Sequence, residues 1–119
     1  MNTIQRMLAA AALAFAMPFG ALAAGAIAVD DEVGETEPGY GFVTGYDTRE
    51  EASRAAMKEC RKSGNKNCQV VARFDKCGAY ASSKKYAGAG WGATKKAAEK
   101  MALEKCGNQR CEVRVSDCE

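Results

Sequence analysis

The chain has 119 residues, 47% of them hydrophobic and 27% charged, and its 17 basic and 15 acidic residues leave a formal charge of +2. That length holds one domain, and the near-neutral total argues against a general nucleic-acid binder. With six cysteines and no histidine, Ser/His and Cys/His catalysis is excluded, as are zinc sites that need histidine.

The first residues read as a targeting segment. Arg6 supplies the positive charge, Met7 to Phe19 an apolar run interrupted by Pro18, and Ala21-Leu22-Ala23 a small-residue cleavage site. The run is shorter than the roughly 20 residues that span a bilayer. Residues 1–23 are therefore expected to be a cleaved signal peptide and 24–119 a single exported domain, periplasmic or secreted, with no stable membrane insertion.

Within that domain charge is unevenly placed. Residues 24–51 hold eight acids against the single Arg49, whereas 52–119 hold 15 basic residues against seven acids. Gly25 to Val29 is a short apolar strand. Asp30 to Gly39, with Gly, Pro and five carboxylates, is an exposed loop. Tyr40 to Tyr46 alternates aromatic and small residues as a strand does. Thr48-Arg49-Glu50-Glu51 has the form of a capping box, in which Glu51 reaches back to the Thr48 amide. The helix it opens runs to about Cys60, with Ala52, Ala55, Ala56 and Cys60 as its inward stripe. A further strand follows, in which Val70, Ala72 and Phe74 alternate with polar positions and Val71 breaks the alternation.

From there the pattern is written again. Tyr86 through Thr94 to Cys106 falls in register with Tyr40 through Thr48 to Cys60, and Cys111-Glu112-Val113 answers Cys68-Gln69-Val70. The copies span about 25–77 and 78–118, each a ββαβ unit. The second helix, capped by Thr94, carries Ala98, Met101, Ala102 and Cys106, with Leu103 broadening the stripe. Gly88, Gly90 and Gly92 leave one face of the fifth strand bare, so something bulky is expected to cover it. The fold class is thus α+β: a compact, disulfide-stapled domain with a mainly antiparallel sheet and both helices on one side.

Six cysteines in an exported chain favour three disulfides. Many connectivities are open to them. The repeat favours Cys60 with Cys68, Cys106 with Cys111 and, by elimination, Cys77 with Cys118. No C-x-x-C pair is present, so neither a metal nor a redox site is expected, and no cofactor. The carboxylates Asp30, Asp31, Glu32, Glu35 and Glu37 fit no calcium loop. Gly88-Ala89-Gly90-Trp91-Gly92 lacks the Lys-Ser/Thr ending of a phosphate loop. Lysines 84, 85, 95, 96 and 100 flank Tyr80, Tyr86 and Trp91 as in single-strand binders; the export signal and the acidic loop oppose that reading.

The spaced pattern Gly-Ala-Ile-Ala-Val, a Tyr-Gly strand, an alanine-rich helix ending in cysteine, Cys-Gln-Val-Val, Cys-Gly-Ala, Gly-Trp-Gly-Ala and a final Cys-x-Val strand resembles the domain-of-unknown-function 4189 family over residues 25–118. The resemblance implies a small, exported, cysteine-rich bacterial protein, and carries over no common activity and no catalytic residue. The Asp30 to Pro38 insert looks longer and more acidic than the family's pattern.

The function expected is that of a non-enzymatic protein-binding domain, an inhibitor or immunity protein acting on a periplasmic partner. A secreted effector acting on a host or competitor cell is the alternative. Asp30, Asp31, Glu32, Glu35 and Glu37 are the expected steering or plugging element, and Tyr40, Tyr46 and Trp91 the expected aromatic anchors. The carboxylates equally suit a solvated loop, and the aromatics a core.

Overall fold

The computed structural model describes residues 23–34 and 36–119. The signal-peptide reading over residues 1–22, and Glu35, lie outside the described residues. Eight elements follow: β1 (Ala24–Asp30), β2 (Gly39–Tyr46), α1 (Arg49–Lys62), β3 (Gln69–Phe74), β4 (Cys77–Ser83), β5 (Tyr86–Gly92), α2 (Lys95–Cys106) and β6 (Glu112–Cys118). The α+β class and the antiparallel pairing are those expected from the sequence.

The strands form two three-stranded sheets, ordered β2-β1-β3 and β5-β4-β6. A single sheet with both helices on one side is not what these residues build. The reason lies in β1 and β4, whose residues are all buried. Ala24, Ala26 and Ala28 of β1 pack with Ala52, Ala56 and Cys60 of α1. Ala79 and Ala81 of β4 pack with Ala98, Ala102 and Cys106 of α2. The alternate faces carry Ile27, Val29 and Tyr80, which meet Phe74 of β3 in a third cluster containing no helical residue. A strand apolar on both faces needs two covers, so each small-residue face takes a helix and the two larger faces take each other.

Both helices start on a threonine. Thr48 Oγ1 accepts from the Glu51 amide at 3.1 Å, and Thr94 Oγ1 from the Ala97 amide at 3.1 Å. The capping box is completed differently from expectation, because the Glu51 carboxylate accepts from the Thr48 hydroxyl instead of the Thr48 amide. Helix α2 closes on Gly107, left-handed at φ 72°, whose amide donates to the Leu103 carbonyl. Leu103 itself is 39% exposed and does not join the stripe.

The bare face of β5 is covered by main chain. A Cβ on Gly88 would run into the Cys106 nitrogen and the Ala102 carbonyl, and one on Gly90 into the Ala98 carbonyl and the Ala102 nitrogen. The glycines let the α2 backbone itself rest on the strand, so no bulky group is needed. Gly41 stands in the same relation to Ala56 and Cys60 of α1. Gly41 and Gly88 therefore correspond in space, one residue away from the sequence register that set Tyr40 over Tyr86. The extra residue is absorbed in β2, where Ala24 and Ala26 face Tyr46 and Val43 across a bulge.

Disulfides join Cys60 to Cys68, Cys106 to Cys111 and Cys77 to Cys118, the pairing the repeat favours. Among the described residues no helix is long and apolar enough to cross a membrane.

Candidate functional site

Two carboxylates of the acidic loop, Asp30 and Glu37, are tied into the fold. Asp30 is 2% exposed. Its Oδ1 accepts from the Glu32 amide at 2.9 Å, and its Oδ2 from the Lys66 and Asn67 amides at 3.1 Å each. It thus fastens the end of β1 to the connection between α1 and β3. The Asn67 amide first, then those of Glu32 and Lys66, hold its carboxyl below the usual value of 3.8, with burial acting the other way. A carboxyl depressed in the folded state contributes stability that is fully present above its unfolded value and lost as pH falls through the folded one. Asp30→Asn should therefore melt lower than the parent at neutral pH. The gap should narrow on acidification below about pH 4, where the parent's carboxylate protonates. Thermal melts of both between pH 2 and 7 check this, and a gap that stays constant into acid contradicts it.

Glu37 is likewise engaged. Its Oε1 accepts from Ser82 Oγ at 2.7 Å and faces Arg114 Nε at 2.9 Å. Arg114 also donates to the Ser82 carbonyl from Nη2 and to Glu112 from Nη1. The Thr36 carbonyl accepts from the Lys85 amide, and the Pro38 carbonyl from the Tyr80 hydroxyl at 3.2 Å. The loop after β1 thereby straps one sheet to the other. Tyr80 is fully buried, which pushes its phenol up to about 12 against the lowering effect of the Ser82 hydroxyl. Tyr40 stacks on Tyr80 with ring centroids 4.3 Å apart and so belongs to the seam between the sheets.

Asp31 and Glu32 are exposed. Tyr46, 38% exposed, lies at the end of β2, apart from the loop. The structure therefore does not gather the seven expected partner residues that it describes. It brings two of them, Asp31 and Trp91, to one side of the molecule, where the edges of β3 and β5 lie next to each other. A hollow of about 250 Å³ opens there, lined by Val29, Asp31, Val71, Ala87, Ala89 and Lys105, with Gly88 at its edge. Val71 is 46% exposed and Trp91 39%. Further grooves continue from Val71 past Arg73 to Trp91, and on to Arg49, Asp75 and Lys76. Lys105 Nζ lies 4.9 Å from the centre of the Trp91 ring, a cation–π contact.

Sequence reasoning missed Val71, Arg73 and Lys105. The signal for Val71 was the place where it breaks the alternation of β3. Ala28 pairs with Val70 and Ile27 with Ala72, leaving Val71 as the bulged residue, turned away from the ladder. The same shift in β6 makes Arg114 the bulged residue there, and Arg114 is folded into the Glu37 network. A second hollow of about 510 Å³ lies on that other side, between β2 and Val115. Its aromatic lining, Tyr40 and Phe42, is already in contact with Tyr80 and Phe74.

Among the described residues no group of three or more His, Cys, Asp or Glu side chains could hold a metal ion. The fold and surface define a disulfide-stapled, two-sheet α+β domain with an open groove of apolar and charged lining along the β3–β5 side. The chain belongs to the family described as Domain of unknown function (DUF4189), whose model matches residues 24–118. No curated protein and no solved structure matches it.

Proposed function

We propose that this chain is an exported, non-enzymatic binding protein that acts on a partner protein in the bacterial periplasm, as an inhibitor or immunity protein does, and that the β3–β5 side is its binding face. The observation that carries the reading is the grouping of exposed Val71 and Trp91 with Arg73, Lys105 and Asp31 along two adjoining hollows that share Val71 and are joined by the Lys105–Trp91 contact. Exposed apolar groups rimmed by charge are the composition of a protein-binding surface. A frame held by three disulfides presents them with little ordering cost on association. The apolar run at residues 7–19, with its small-residue end, supports export.

The test is capture from envelope fractions by the oxidised domain, run beside Trp91→Ala and a control, Tyr46→Ala. A buried aromatic anchor costs at least about 2 kcal/mol when truncated, or roughly thirty-fold in affinity. The expected result is a single stoichiometric partner lost with Trp91→Ala and kept with Tyr46→Ala. Equal retention by both variants removes this face as the binding site.

A further inference from the structure

The two sheets have four edge strands, and three of them are guarded. β2, β3 and β6 each carry a bulge in their pairing with the central strand. β3 also presents Arg73, and β6 presents Glu112, Arg114 and Asp117. On β2 the Gly45 amide is taken by Glu119 Oε1 at 2.8 Å. Bulges and charges are the devices by which native sheets stop their edges from pairing with other chains. β5 has neither. Its sequence, Tyr-Ala-Gly-Ala-Gly-Trp-Gly, bears no charge, and its pairing with β4 runs without a shift from Ser83–Tyr86 to Cys77–Gly92.

The register says which groups that edge offers. Cys77 and Cys118 face each other with Cα atoms 3.9 Å apart, the close spacing of a non-hydrogen-bonded antiparallel pair. Cys77 therefore turns its amide and carbonyl toward Gly92. Stepping by two along the unshifted register, Tyr86, Gly88, Gly90 and Gly92 bond to β4, and Ala87, Ala89 and Trp91 turn their amides and carbonyls away from it, Trp91 exposed, Ala87 half-buried and Ala89 only 6% exposed at the floor of the hollow. The hollow lined by Val71 and Ala89 lies along that same edge.

We infer that β5 is a docking edge for an extended, acidic segment of a partner protein, which adds to it as a fourth strand. In such an addition the backbone supplies affinity and alternate side chains supply specificity. One apolar side chain of the incoming strand fills the hollow between Val71 and Ala89. Its neighbours along the strand meet Lys105 and Arg73, two cations against the single Asp31 at the hollow, and that balance makes the segment acidic. A second copy of this chain is the poorer occupant, because β5 against β5 sets Lys105 near its own counterpart. This inference rests on the binding face proposed above and adds the mode of contact and the chemistry of the partner.

The probe is a blocked nonapeptide of alternating glutamate and valine, titrated into the ¹⁵N-labelled oxidised domain. Its valine/lysine counterpart and a form N-methylated at alternate residues serve as comparisons. Expected are amide shifts and slowed exchange at Ala87, Ala89 and Trp91, and an affinity at least about ten-fold above that of the lysine peptide. The N-methylated form should not bind, and Lys105→Glu, a surface change that leaves the core intact, should reverse the preference between the two charged peptides. Absence of shifts at millimolar peptide, equal binding of both charged peptides, or a peptide-free dimer with protected β5 amides would each overturn the inference. A natural partner that is lost with Trp91→Ala, yet leaves the exchange of the Ala89 amide unchanged in the complex, keeps the face and discards strand addition.

Discussion

Replacing Cys77 and Cys118 together by alanine should lower stability by about 4 kcal/mol, the largest loss from any one bridge, because that disulfide closes the longest loop. The sequence separation is 41 residues, against 8 for Cys60–Cys68 and 5 for Cys106–Cys111. The same chain-entropy relation gives between about 2 and 3 kcal/mol for each short loop. A domain of this size has only about 5–15 kcal/mol in total, so full reduction should unfold it at 25 °C. At about 4–8 °C per kcal/mol for small domains, the Cys77/Cys118 double variant should melt about 20 °C lower. The Cys106/Cys111 double variant should fall by roughly half as much. Circular-dichroism melts of the two variants, with and without reductant, check the ranking, and equal drops would sink the loop-length argument.

The bridges also show which features of the fold are legible along a chain. Cysteines, threonine caps and alanine stripes act locally or through strict spacing, so Thr48, Thr94 and the stripe Ala98-Ala102-Cys106 stand where the residues put them. What the pattern left open was how many sheets the strands make. Residues 25–29, Gly-Ala-Ile-Ala-Val, alternate small with large while staying apolar throughout. A strand of that kind has two buried faces, and size decides what covers each: alanines admit a helix, and Ile27 and Val29 require the opposite sheet. The information was in the side-chain volumes, which a polar/apolar alternation does not register.

The candidate site was less legible for a related reason. A run of carboxylates between two strands looks alike whether it is solvated or fastened down. Only the fold brings the amides of Lys66 and Asn67 to Asp30, or Ser82 and Arg114 to Glu37. Conversely, the open groove is assembled from β1, β3, β5 and α2, and its Val71 is exposed because a bulge turns it out of the ladder. Of its lining, Asp31 and Trp91 were visible beforehand, Trp91 because it is set between two glycines that give it no local cover.

Gly90→Ala and Gly88→Ala should each destabilise the domain by about 2 kcal/mol, although alanine is ordinarily the better residue inside a strand by roughly 0.5–1 kcal/mol. The gain from a stiffer unfolded chain is present at both sites. It is outweighed because the new methyl meets main-chain atoms: the Ala98 carbonyl and Ala102 nitrogen at position 90, and the Ala102 carbonyl and Cys106 nitrogen at position 88. A side chain there could rotate aside, whereas the helix backbone can yield only by lifting off the strand, and with it Ala98, Ala102 and Cys106 lose their contacts with β4. Gly92 supplies the internal comparison. Its nearest neighbour is the Ala97 Cβ at 2.9 Å, with backbone atoms at 3.4 Å and beyond, close to the first turn of α2, where a small shift suffices. Urea unfolding of the three variants should give a clear fall in midpoint at 88 and 90 and a much smaller one at 92. If Gly90→Ala proved as stable as Gly92→Ala, the close seating of α2 on β5 would not depend on the missing side chains. The glycine pattern would then need another cause, of which the unguarded β5 edge is the next in line, since side chains on the helix-facing side of that strand also set how near an incoming strand can come.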